Sequence, residues 1–226
     1  MNTAEDFRLK MAELAVEVLS RRVRQWGMPW PLNKSKALET LEALRREVKR
    51  LRYSFLPPEM LIESESMNNI VSLAGGLRRL LIPQVVPKLD VKRQFALAEI
   101  RWALSILLGL PLRLRLGSRN YPEFAVDVVG VEVTRIEPLK GTERLKVTRA
   151  SMGRAAFTVV TNLEDISKGQ VRAIAILPPA LFGDVISEAM YASDPLPREY
   201  LGKRVPRKFL HGEVGGLVVK LLESIK

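Results

Sequence analysis

The apolar residues change period near residue 125, and this change constrains the fold more than any count of residue types. Before it they recur every three or four positions. Phe7, Met11, Leu14, Ala15, Val18 and Leu19 form one stripe within residues 4–26, and Ala37, Leu41, Leu44, Val48, Leu51 and Phe55 form another within about 35–55. That spacing gathers side chains on one face of an α-helix. After it, the stretches AVDVVGVEVTRI, RLKVTRAS, AAFTVVTN and VRAIAIL alternate or turn β-branched between turn residues, as short strands do. The chain is therefore expected to be α+β with two domains, an all-α N-terminal one and a small antiparallel β domain.

Local signals refine this. Thr3 and Asp6 are spaced as an N-cap and its N3 partner for the first helix. The second helix has coiled-coil spacing for fewer than three heptads, which suits a helical hairpin within its own domain better than a dimerising coil. A third helix is expected around 66–82, bent or closely approached at Gly75-Gly76, and a fourth from the Asp90 cap to about Leu108, where Gly109 and Pro111 stop it. Five short strands in roughly 70 residues suit a closed barrel, which leaves no edge exposed. NLEDISKGQ reads as a short helix between the third and fourth strands, capped by Asn162 and closed by Gly169. PPALFGDVISEAMYASD, 178–194, reads as irregular. Val214, Leu217, Val218, Leu221, Leu222 and Ile225 mark a last amphipathic helix. The expected domains are 1–116 (helical), 120–194 (β-barrel) and 195–226 (basic linker and C-terminal helix).

Composition narrows the chemistry. The chain has no Cys and a single His, His211, so thiolate sites are excluded, a zinc site has almost nothing to be built from, and only oxygen-ligated metals stay possible. No GxSxG, Walker, GxGxxG or HExxH motif occurs; no catalytic residues, cofactor or metal are expected. The run RWALSILLGLPLRLRL is too short and too interrupted to span a bilayer, and the acidic start MNTAEDFRLKMAEL lacks a signal core. A cytoplasmic protein with no membrane partner is expected.

The net charge of +11 favours polyanions, though a solubilising surface or an acidic partner would also suit it. Residues 1–115 hold 20 basic and 12 acidic groups, residues 116–195 hold 9 and 10, and residues 196–226 hold 7 and 3. The near-neutral barrel offers the local cations Lys140, Arg144, Lys146 and Arg149, with Arg144 and Lys146 on one face if they share a strand. The flanks add Arg45, Arg46, Lys49, Arg50 and Arg52, and then Arg198, Lys203, Arg204, Arg207 and Lys208 around Tyr200. Basic groups about an aromatic suit backbone contact and base stacking.

Residues of about 125–194 resemble the EMAP-II-type tRNA-binding domain, an OB-fold found free-standing or appended to aminoacyl-tRNA synthetases. The landmarks are Glu137-Pro138, then Glu143-Arg144-Leu145, then Leu163 to Gly169 as Leu-x-x-Ile-x-Lys-Gly, then Gly183 followed by Ser187, Glu188 and Met190. Gly141 stands where the family usually has Asn, and Ala189 where it has Gly. The resemblance implies that Ser187 and Met190 take part in nucleic-acid binding, where a hydroxyl suits a phosphate or 2′-OH and a thioether a base or sugar. From the residues alone, the other readings are that Ser187 is a turn cap and Met190 a barrel plug. The nucleic-acid-binding candidates are thus Lys140, Arg144, Lys146, Arg149, Ser187, Met190, Lys203, Arg204 and Arg207. The expected function is non-catalytic, sequence-tolerant binding of tRNA or other structured RNA. The alternative is an interaction protein that docks an aminoacyl-tRNA synthetase or forms a homodimer, its barrel no longer binding RNA.

Overall fold

The computed structural model describes residues 2–153 and 155–223. The chain forms α1 (Phe7–Arg24), α2 (Lys34–Arg52), α3 (Pro58–Glu63), α4 (Glu65–Leu81), α5 (Val91–Leu108) and α6 (Leu110–Leu114), then β1 (Asp127–Pro138), β2 (Lys146–Ser151), β3 (Ala156–Thr161), β4 (Val171–Phe182) and β5 (Val185–Tyr191), then α7 (Glu213–Glu223). This is the expected α+β order of helices, a five-stranded antiparallel sheet and a C-terminal helix. The chain divides into two compact units, Met1–Ala125 with Val219–Lys226, and Val126–Val218. None of the described helices is long and apolar enough to cross a membrane.

In the helical unit α1 packs against α2 and α5, and α4 against α2 and α5. The α2 stripe Ala37, Leu41, Leu44, Val48 and Leu51 is buried, so it serves an intradomain bundle. Phe55 departs from it. The helix ends at Arg52, and Phe55, at φ 56° and 59% exposed, faces away from the core. The cap of α1 is Asp6, whose carboxylate accepts from the Arg8 amide, while Thr3 opens a separate 3-10 turn. The region expected as one helix around 66–82 is preceded by a further turn, α3, and Ser64 caps α4. Asp90 caps α5 as expected. α5 ends at Leu108 as expected, with Gly109 as its C-cap, and Pro111 lies in the first turn of the short α6 that follows; there its missing N–H costs nothing.

In the second unit the sheet order is β3-β2-β1-β4-β5, every ladder antiparallel, and β3 lies beside β5. The sheet therefore closes into a barrel. Its interior holds Val131, Val133, Ala150, Val159, Ile166, Ile174, Ala189 and Tyr191. The stretch 178–194, expected to be irregular, is the end of β4, a tight turn at Gly183 (φ 59°) and β5. NLEDISKGQ is not helical. The Gln170 side chain accepts from the Ser167 amide at 3.1 Å and donates to the Asp165 carbonyl at 3.1 Å, holding the segment as a loop that drops Ile166 into the barrel.

Residues 201–205 lie along the N-terminal half of β1. The Gly130 amide donates to the Lys203 carbonyl and the Gly202 amide to the Gly130 carbonyl, each at 2.9 Å, and Val205 donates to Val128 at 3.1 Å. Only glycine permits this approach, because a Cβ on Gly130 would stand 2.1 Å from the Tyr200 carbonyl oxygen. The α7 stripe buries Val214 and Val218; Ile225 lies outside the described residues.

Candidate nucleic-acid interface

Strand register decides which barrel side chains reach solvent. On β2, Thr148 and Ala150 are buried and Arg149 is exposed. On β1, Val131 and Val133 point inward, so strict alternation would send Arg135 inward too. A bulge prevents it. The register slips between Val133 and Arg135, placing Arg135 opposite Arg149 and returning Ile136 to the core side opposite Thr148. One extra residue, Thr134, flips everything after it to the other face. Sequence reasoning missed Arg135 for this reason, since no local signal in VEVTRIE marks a bulge.

The two guanidiniums thus project side by side from the outer face, where like charges directly opposed repel. Their surroundings differ. Arg135 is 2.5 Å from Glu137, whereas Arg149 donates to the neutral Thr158 hydroxyl at 3.3 Å and has no carboxylate partner among the described residues. Next along the ladder, Glu132 pairs with Ser151 and meets Arg198 at 3.2 Å. Arg198, Arg135 and Arg149 therefore share one face of the β1–β2 hairpin.

The hairpin's tip supplies two more cations. The Leu139 amide donates to the Leu145 carbonyl at 2.9 Å, and Gly141 takes φ 84°. That left-handed conformation is open to both Gly and Asn, so the turn accommodates Gly141 where the resembling family has Asn. Lys140 and Arg144 are exposed on this turn. Arg144 precedes β2, so it shares no strand with Lys146. The Lys146 ammonium is committed, donating to the Leu163 and Glu164 carbonyls at 3.0 Å each.

The remaining candidates divide. Ser187 is buried, 5% exposed. Its hydroxyl accepts from the Val160 amide at 3.0 Å and donates to the Ala189 carbonyl at 3.0 Å, while Glu188 accepts from the Thr158 amide at 3.1 Å. These bonds fasten β3 to β5 where the barrel closes, and both hydrogen bonds of the Ser187 hydroxyl are made within the barrel. Ala189 is in a strand and needs no positive φ. Met190, half-buried, alternates outward between Ala189 and Tyr191; the barrel plug is Tyr191, whose hydroxyl is 2.9 Å from that of Thr148.

Lys203 is exposed, its backbone held in the ladder with β1. Arg204 is committed to the Val126 carbonyl at 3.2 Å and to Asp127 at 3.8 Å. Arg207 is exposed in a 3-10 turn. Tyr200 is half-buried, and its ring makes an edge-on contact with Phe209 at 5.2 Å. At the barrel's end the buried Arg172 guanidinium hydrogen-bonds Asp165 and so holds that carboxyl below the usual carboxylate range.

In the helical unit the expected basic face of α2 is largely answered by acids. Arg45 meets Glu17 at 2.9 Å and Glu42 at 3.4 Å, Arg50 meets Glu47 at 2.9 Å, and Arg52 pairs with Glu13. Among the described residues no group of three or more His, Asp or Glu could hold a metal ion.

No curated protein matches the sequence. The crystal structure of a MetRS related protein from Pyrococcus horikoshii is similar over 36% of this chain and 90% of that one, at 23% identity and a TM-score of 0.33. The alpha helical domain family matches residues 1–117, more than half of the 226 residues and all six of the N-terminal helices. This chain belongs to the alpha helical domain family.

Proposed function

We propose that this chain is a non-catalytic RNA-binding protein that takes tRNA or another structured RNA on the outer face of its β1–β2 hairpin, in the manner of the EMAP-II-type domains it resembles. The observation that carries the reading is the opposed pair Arg135 and Arg149, with Arg149 exposed and without a carboxylate partner among the described residues. An RNA phosphate between them would relieve the repulsion and receive charge-assisted hydrogen bonds. Lys140 and Arg144 at the tip extend the same contact, and Met190 adds a thioether on the outer surface of β5. The placement of charge on a hairpin supports recognition of shape and backbone rather than of base sequence.

Filter-binding of tRNA across a salt series tests this. The wild-type chain should lose affinity steeply with salt. An Arg135→Ala/Arg149→Ala variant should bind more weakly, with a log–log slope shallower by roughly 0.7–0.9 per cation removed. A salt-insensitive wild type, or a double variant indistinguishable from it, would remove the reading.

A further inference from the structure

Three arginines of the helical unit that no acid answers among the described residues come together at one place. Arg78 and Arg79 in the last turn of α4 and Arg101 of α5 line one groove of about 970 Å³. All three are exposed, no Asp or Glu lines the groove, and none of the three has an ion pair among the described residues. This contrasts with Arg45, Arg50 and Arg52 of the same unit, each of which meets a glutamate. Beside the arginines the lining is mostly aliphatic, with Ile82, Val86, Leu104 and Leu108, and the neutral polar groups Gln84 and Ser105 complete it. Val85, beside that lining, is 83% exposed.

Two classes of polyanion could answer three guanidiniums, and the groove's walls discriminate between them. Single-stranded RNA is held by positive grooves furnished with aromatic rings on which bases stack, and none lines this one. Helical RNA presents phosphates on a convex, polar surface that gains nothing from an apolar trough. An amphipathic helix with acidic residues beside its apolar stripe matches both features. Its leucine-like side chains would cover Ile82, Val86 and Leu108, and its carboxylates would meet the guanidinium forks bidentately. An apolar centre with an arginine rim is also how protein–protein interfaces are composed. We propose that this groove docks an acidic amphipathic helix of a partner protein. The inference is independent of the RNA reading, which concerns the barrel.

The test is selection from a phage-displayed library of random helix-length peptides on the full chain, followed by titration of the enriched peptides. Enriched sequences should carry apolar residues at three–four spacing flanked by Asp or Glu. Their affinity should fall at least about tenfold on an Arg79→Gln/Arg101→Gln variant, and fall again on Val86→Ser. The two arginines are exposed, so the variant should keep the wild-type circular dichroism. Several results would overturn the proposal: no enrichment, enriched peptides without acids, or unchanged affinity on the arginine variant. So would displacement of the peptides by tRNA with loss of tRNA binding in that variant, which would make the groove a nucleic-acid surface.

Discussion

The two units use buried arginine in different ways. In the helical unit Arg8 and its partner Asp6 are both sealed, at 1% and 0% side-chain exposure, and Arg8 also donates to the Gly117 carbonyl at 2.7 Å. In the barrel Arg172 is equally buried at 1%, but its partner Asp165 is 60% exposed. A sealed pair ties the start of α1 to the end of the helical run and cannot lose one member cheaply. A pair with one member in water can rehydrate. Both units rest on apolar cores, but the sealed pair makes the helical unit the more sensitive of the two to loss of one ionic partner.

The largest expected effect tests that difference directly. Arg8→Met leaves the Asp6 carboxylate buried with its charge uncompensated and should destabilise the helical unit by about 3–5 kcal/mol. Asp165→Asn, which removes an exposed charge from the barrel's pair, should cost distinctly less. Thermal unfolding with hydrogen exchange over α1 and over β4 reads both. If Asp165→Asn proves the costlier change, the contrast between sealed and open pairs is wrong.

Gly130→Val ranks next. Its Cβ cannot stand 2.1 Å from the Tyr200 carbonyl oxygen, so residues 200–205 must move off β1. The expected cost is toward the upper end of about 1–3 kcal/mol, with loss of exchange protection at the Gly202 and Val205 amides, which donate to β1. Unchanged protection there would show that the ladder along β1 contributes little. Ser187→Ala is smaller. It strands the buried Val160 amide and should cost about 1–2 kcal/mol, while the tRNA binding proposed for the β1–β2 hairpin should be unchanged, because both hydrogen bonds of the hydroxyl lie within the barrel. A selective loss of tRNA binding with stability intact would restore Ser187 to the binding surface.

What was legible in the sequence follows from how far each signal reaches. The period change and the α2 stripe are local, and both correspond to real elements. The exact cap of α1 was less legible, because Thr3 and Asp6 are both competent caps and the choice is made by Arg8, which Asp6 binds. The loop at 162–170 has helical composition, yet Gln170 and Arg172 hold Asp165 from the far side of the turn. Charge was least legible. Arg45 and Arg52 look like a free basic face because Glu17 and Glu13 are in another helix. Arg135 was not among the candidate cations, because the bulge that turns it outward is defined by its register with the partner strand.

The smallest effect is also the most specific to the barrel. Burial pushes the Tyr191 hydroxyl up from its ordinary value of 10.0. Thr148 donates its own proton to the Val159 carbonyl at 2.9 Å, so Tyr191 is the donor in their 2.9 Å contact and ionisation would forfeit that bond. A folded-state value raised above the unfolded one means that the native barrel prefers the neutral phenol. The stabilisation is fully present below pH 10.0 and is lost as pH rises toward and through the folded-state value. Tyr191→Phe removes the hydrogen bond, at about 1 kcal/mol near neutrality, and also removes the titration. The stability gap between wild type and Tyr191→Phe should therefore narrow as pH climbs past 10.0, in denaturant titrations that monitor the barrel. Lysine deprotonation acts on both proteins alike and cancels in the difference. A gap that stays constant across that range would mean that the hydroxyl is as well solvated in the barrel as in the unfolded chain, which its 6% exposure argues against.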